Sequence, residues 1–185
     1  MILWILLGIL AIILVWLIAT FNGLVAFKNV TLNGWKQIDV QLKRRHDLIP
    51  NLVETVKGVM SFEQKTLTQV IEARNRAISA QGVADKAVQE NVLSGALRQL
   101  FALVENYPNL KSNENVSKLQ EELSSTENRI GFARQFYNDI ATKFNIAQQT
   151  FPTNMIAGML RFKTAELFEI TDAAEKEAPK VDLNL

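Results

Sequence analysis

The stretch from Glu114 to Pro152, "ENVSKLQEELSSTENRIGFARQFYNDIATKFNIAQQTFP", decides the fold. Its apolar and small residues fall at Val116, Leu119, Leu123, Thr126, Ile130, Ala133, Tyr137, Ile140, Phe144, Ala147 and Phe151, and each step is three or four. That period keeps one stripe of a helix facing a neighbour. Pro152 should halt the run. A helix of about 36 residues is roughly 54 Å long at 1.5 Å per residue. Helices of that length point to long elements packed side by side.

The same signal runs from Leu24 through Thr31, Trp35, Ile38, Leu42, Arg45, Ile49, Leu52 and Val56. This predicts a helix to about Val59, weakened at Gly23 and Gly34 and kinked at Pro50, where a backbone hydrogen bond is lost. Ser61 and Gln64 have capping-box spacing ahead of a second helix that reaches Ala80. A third, from about Asp85 to Asn106, should turn Val88, Val92, Leu93, Leu97, Leu100, Phe101 and Val104 to a core. "NYPNLKSNEN" then reads as a turn. No sustained alternation of period two marks a strand. The expected fold is all-α: a single N-terminal transmembrane helix followed by an antiparallel up-and-down four-helix bundle of long helices.

Residues 1–21 supply the transmembrane segment. From Ile2 to Ala19 there is no charged, amide or hydroxyl side chain. About 20 apolar residues span a bilayer core. Trp4 and Trp16 stand near the two ends, as interfacial indoles do. With no basic residue before the run and no small-residue cleavage point after it, it reads as an uncleaved signal anchor. Lys28, Lys36, Lys43, Arg44 and Arg45 follow it, so flanking charge favours a cytoplasmic body, with a periplasmic or extracellular one as the alternative. Residues 22–151 form the helical body. Residues 152–170, rich in Met, Leu, Phe and Ile, are left to pack on the body, the bilayer or a partner, and 171–185 read as a disordered tail.

The chain has 185 residues with 20 Lys and Arg against 19 Asp and Glu, so no global field draws in nucleic acid. Cysteine is absent, which excludes disulfides, thiolate nucleophiles and Cys-ligated metals. One histidine, His46, occurs in "RRHDLIPNL". Its run of histidine, acid and nearby proline is similar to the phosphoacceptor helix of histidine kinases, yet no glycine-rich nucleotide box accompanies it. A carboxylate-bridged metal pair in a helical bundle needs two Glu-x-x-His motifs, and one histidine cannot supply them. A Ser-His-Asp set lacks its nucleophile elbow. His46 reads as a partly exposed polar residue, with no catalytic, cofactor or metal site.

Charge at the seams is more informative. Arg45 interrupts the apolar stripe of the first helix, while Glu127, Arg129 and Arg134 flank that of the last. A buried ion needs a partner, so Arg44 or Arg45 is expected to pair with Glu127 or another acid across the helices, fixing their register. A polar binding surface on the assembled helices is the alternative.

The blocks "FNGLVAFKNV", "NGWKQIDVQLKRRHDLIPNLVETVKGV", "LVENYPNLKSNENVSKLQEELSSTENRIGFARQFYN" and "FNIAQQTFPTNMIA", behind a short anchor, together resemble the LemA family. The resemblance runs from the anchor to about Glu169. It implies a four-helix bundle in a single-pass bacterial membrane protein, and it brings no catalytic activity. A relative that acts in building magnetosome membranes favours a membrane-organising role. Lys28 stands where the family pattern leads one to expect arginine, keeping the charge and losing any bidentate contact. The resulting expectation is a non-enzymatic scaffold at the bacterial inner membrane. Its partners would be the bilayer, further copies of itself and other membrane proteins; the alternative is an adaptor for an envelope-stress or sensor system.

Overall fold

A computed structural model describes residues 1–58 and 64–169. Every regular element among them is a helix: α1 Ile2–Lys57, α2 Gln64–Ser79, α3 Gly82–Val104, α4 Pro108–Lys111, α5 Glu114–Gln149 and α6 Thr153–Met159. The N-terminal part of α1 is long and apolar enough to cross a membrane. No break separates it from the body. The boundary drawn at residue 21 falls inside one continuous helix, and Gly23 and Gly34 do not interrupt it.

Contacts along the helices give their directions. Leu24 packs with Phe144, Trp35 with Tyr137 and Arg45 with Glu127, so α1 and α5 are antiparallel. Asp39 meets Lys86 and Arg45 meets Glu90, so α3 runs parallel to α1. The two-residue link between α2 and α3 sends α2 back the other way. Gly34 is buried where α1 and α5 come close: a Cβ there would stand 3.5 Å from the Phe136 ring and the Tyr137 backbone.

Length explains how the core is divided. At 1.5 Å per residue α5 is roughly 54 Å long, α3 about 35 Å and α2 about 24 Å, so α2 and α3 cannot cover the α1–α5 pair from end to end. They cover its upper part, where Ile49, Leu52, Val56, Val70, Leu93 and Leu100 share one core that Leu110 of α4 closes. In the middle, Ile38, Leu42, Ile130 and Tyr137 are closed by Ala87 near the start of α3 and by Phe168 from the extended strap after α6. At the lower end α6 itself takes over, with Ile156 and Ala157 against Leu24 and Phe144.

Several elements differ from the sequence expectation. Ser61, Val59 and residues 170–185 lie outside the described residues, and with them the capping box, the end expected for the first helix and the tail. α3 starts at Gly82, whose φ of +77° suits glycine, and not at Asp85. Asp85 sits in its first turn and accepts a hydrogen bond from the Gln81 amide at 3.0 Å. The core face of α3 is Ala87, Glu90, Leu93, Leu97, Leu100 and Val104; Val88 and Val92 are exposed. "NYPNLKSNEN" contains the single helical turn α4. Asn113 caps α5, its side-chain oxygen accepting from the amides of Asn115 and Val116. α5 ends at Gln149, two residues short of Phe151, which is exposed and outside the stripe; the Phe151–Pro152 bond is cis.

Candidate functional site

The centre of the body is ionic. Arg45 and Glu90 are 1% and 3% exposed and face each other between α1 and α3. Nη2 of Arg45 donates to the Glu90 carboxylate and, at 3.3 Å, to the Glu90 carbonyl. Nη1 donates to Glu127 of α5 and to Ser94 Oγ at 2.9 Å, and Ser94 in turn donates to Glu127 at 3.1 Å. Nε of Arg45 has no hydrogen-bond partner among the described residues. One guanidinium thus ties three helices at a single height, and register is what such a buried pair best specifies.

His46 completes the cluster and differs from expectation: it is buried, with Nε2 2.7 Å from the Glu90 carboxylate. An ionised carboxylate only accepts, so Nε2–H donates. Pro50 adds the fourth helix. It stands inside α1 four residues after His46 and has no N–H to offer the His46 carbonyl. Arg74 of α2 uses that freed acceptor, with Nε 2.7 Å from the carbonyl oxygen. α1 runs on through Pro50 to Lys57.

The remaining residues singled out at the seams separate. Arg44 pairs with Glu122 at the surface, where both side chains are about half exposed. Arg134 lies with its guanidinium 4.6 Å from the Phe168 ring centre, so it grips the strap by a cation–π contact. Arg129 stands outside the cluster, on the wall of a groove of about 520 Å³ between α1 and α5 that Val40, Phe132 and Phe136 also line. Trp4 and Trp16 are exposed on the N-terminal segment. Glu90, Ser94 and Arg74 were missed in the sequence. Glu90 carried a readable signal, because it occupies a core register of α3 between Ala87 and Leu93.

A second polar device holds the strap. Asn145 exchanges two hydrogen bonds with the backbone of Ala165, and Asn138 does the same with Phe168. The two asparagines are seven residues apart, hence on one face of α5. Tyr137 donates to the Glu166 carbonyl at 2.7 Å; burial, and then the Glu166 charge, push its phenol above the ordinary range.

Chemically, the cluster can hold charge and register. Ser94 is engaged by Arg45 and Glu127, and His46 by Glu90, so their hydrogen bonds do not form a nucleophile and base pair. Among the described residues no group of three or more His, Cys, Asp or Glu side chains could hold a metal. A cavity of about 490 Å³ lies beside the cluster between α3 and α5, with Arg45, Ser94 and Glu127 on its wall.

Burial alone would raise the Glu90 carboxyl; the His46 hydrogen bond and the charge and hydrogen bonds of Arg45 outweigh it and hold the group below its usual range. A carboxyl lowered by folding contributes stability that is fully present above its unfolded pKa of about 4.3 and is lost as pH falls through the lowered value. The thermal midpoint of the full-length chain in detergent should therefore drop more steeply than that of Glu90→Gln as pH is taken from neutral to about 3. Parallel curves would show that Glu90 does not carry this linkage.

A family model described as the LemA family matches residues 34–183. The chain belongs to the LemA family. The LemA match covers the helical body and starts after the N-terminal apolar segment. Similar proteins include Protein LemA of Metamycoplasma hominis, 28% identical over 165 residues, 87% of this chain and 73% of the relative. Magnetosome protein MamQ 2 of Paramagnetospirillum magneticum is 24% identical over 185 residues, covering 86% of this chain and 68% of its own length. Magnetosome protein MamQ of Magnetospirillum gryphiswaldense is 23% identical with the same coverage.

Proposed function

We propose that this LemA-family chain is a non-enzymatic scaffold held by α1 in a bacterial inner membrane, with a cytoplasmic body that assembles with further copies of itself. In this reading α1, α2, α3 and α5 act as one up-and-down four-helix bundle. The observation that carries it is the continuity of α1. A bilayer-length apolar segment passes without a break into the helix bearing Arg45, so anchor and body move as one rod. The exposed groove of Val40, Phe132 and Phe136 supports self-assembly, because a large apolar surface left in water favours contact with protein. The magnetosome proteins among its relatives support work at a membrane.

Extraction of the full-length protein from its native membrane in mild detergent, followed by light scattering, tests this. A multimer made of this chain alone, reduced to small particles by Phe132→Glu with helicity unchanged, is the expected result. A small particle with one stoichiometric foreign protein would replace the scaffold by an adaptor. A C-terminal green fluorescent protein that stayed dark would reverse the orientation.

A further inference from the structure

The lower end of the body carries exposed apolar side chains at the height of the apolar segment of α1. Residues facing one another on antiparallel α1 and α5 have numbers adding to about 170, as Arg45 with Glu127, Trp35 with Tyr137 and Leu24 with Phe144 do. Phe151, just beyond α5, thus stands level with about residue 19 of α1, inside the apolar segment. α6 sits at the same level: its Ile156 and Ala157 join the core of Leu24 and Phe144, against which Leu17 also packs. On this end Phe151, Met155, Met159 and Leu160 are 76%, 68%, 75% and 46% exposed.

Charge at this end is mainly positive. Neither Met1–Ile38 nor Ile140–Ala165 contains an aspartate or glutamate, although the chain has 19 of them. These stretches hold Lys28, Lys143, Arg161 and Lys163 near the tip and Lys36 about 25 Å above the level of Phe151; Asp139 and Glu166 border them. Lys28 and Lys143 have numbers that place them at one height, roughly 13 Å above the level of Phe151. A cationic belt above an apolar tip matches the headgroup and acyl layers of a membrane, and each Lys or Arg near an anionic surface strengthens binding roughly five-fold.

We infer that the α5–α6 end is a second membrane contact: Phe151, Met155, Met159 and Leu160 dip into the leaflet that α1 leaves, under a belt of cations that selects anionic lipid. The inference rests on the anchor reading of α1. Two contacts in place of one would fix the azimuth of the body, so that one chosen face meets neighbouring molecules in the membrane plane.

The absence of cysteine makes the test direct. Single substitutions Met155→Cys, Met159→Cys, Val88→Cys and Ile12→Cys in the full-length chain are spin-labelled and reconstituted in vesicles of phosphatidylcholine with a minority of phosphatidylglycerol. Collision rates with oxygen and with a water-soluble nickel chelate are then compared. The oxygen-to-nickel ratio should be several-fold higher at Met155 and Met159 than at Val88, and should fall when phosphatidylglycerol is left out. A water-like ratio at both methionines with a lipid-like one at Ile12 would overturn the second contact and leave the anchor standing. Water-like values at all positions would overturn the anchor as well. A ratio at Met155 indifferent to phosphatidylglycerol would strike out the role of the cations. All four sites are exposed, so the label displaces no core side chain.

Discussion

Glu90→Leu should lower the stability of the folded body by about 3–5 kcal/mol, a large share of the 5–15 kcal/mol that holds a typical domain together. The loss comes less from the missing attraction than from what stays behind. Arg45 remains buried with its charge, and its other acid, Glu127, is half exposed on α5. His46 loses the acceptor of its Nε2–H as well. Replacing both ions at once, Arg45→Leu with Glu90→Leu, should recover most of the loss, because no unpaired charge is then buried and Glu127 can face water. By contrast Arg44→Ala, breaking a surface pair, should cost under about 1 kcal/mol. Denaturant titration of the four proteins in one detergent gives the comparison. A double variant as unstable as Glu90→Leu alone would show that the cluster acts through more than charge compensation. If the cluster fixes register, the stable double variant should also give broader exchange of α3 amides, since helices without the ionic contact slide more easily.

Much of this arrangement was legible in the sequence, for a physical reason. Core positions on α1 and α5 follow the period closely: most of the stripes from Leu24 to Val56 and from Val116 to Phe144 are buried, and Trp35, Leu119, Ala133 and Ile140 are half-buried. Arg45 betrayed a buried partner because an arginine in an apolar stripe must be paired, and Glu127 was within reach of that argument. Glu90 stood in a core register of α3, where the same logic applied, and was passed over. A stripe on α3 that runs through a glutamate looks broken, and hydrophobicity favours Val88 and Val92, which are exposed. The partial burial expected of His46 failed for a related reason, since its burial depends on that unseen carboxylate. Least legible was the strap. Asn138 and Asn145 sit on a helix face that a period argument assigns to water, and nothing in an asparagine says that it will clamp an extended backbone 30 or 20 residues further on.

Phe168→Ala is the second substitution with a large expected effect, and its size reports how the strap is held. Phe168 is almost wholly buried, with its ring centre 5.9 Å from that of Trp35 and 4.6 Å from the Arg134 guanidinium. Truncating a buried phenylalanine costs about 3–5 kcal/mol when the rest of the structure stays in place. Here the rest can leave. A short extended segment has no internal structure of its own, so once its anchor is gone it can detach, and the loss cannot exceed the free energy with which the strap was bound. Asn138→Ala removes two hydrogen bonds to the strap backbone, worth about 1 kcal/mol each. If the strap binds as a unit, the double variant should cost little more than Phe168→Ala alone, a coupling of about 1–2 kcal/mol between residues 30 apart in sequence. Strictly additive losses would mean that phenylalanine and asparagine act locally and that the strap stays down without its ring. Hydrogen exchange adds a spatial check, since release should raise exchange in the middle of α5, around Tyr137, and leave the upper core of Leu93 and Leu100 protected. That pattern follows from the division of the core, because the strap shares the middle cluster with only the first turns of α3, through Val83 and Ala87, while Leu93 and Leu100 belong to the upper one.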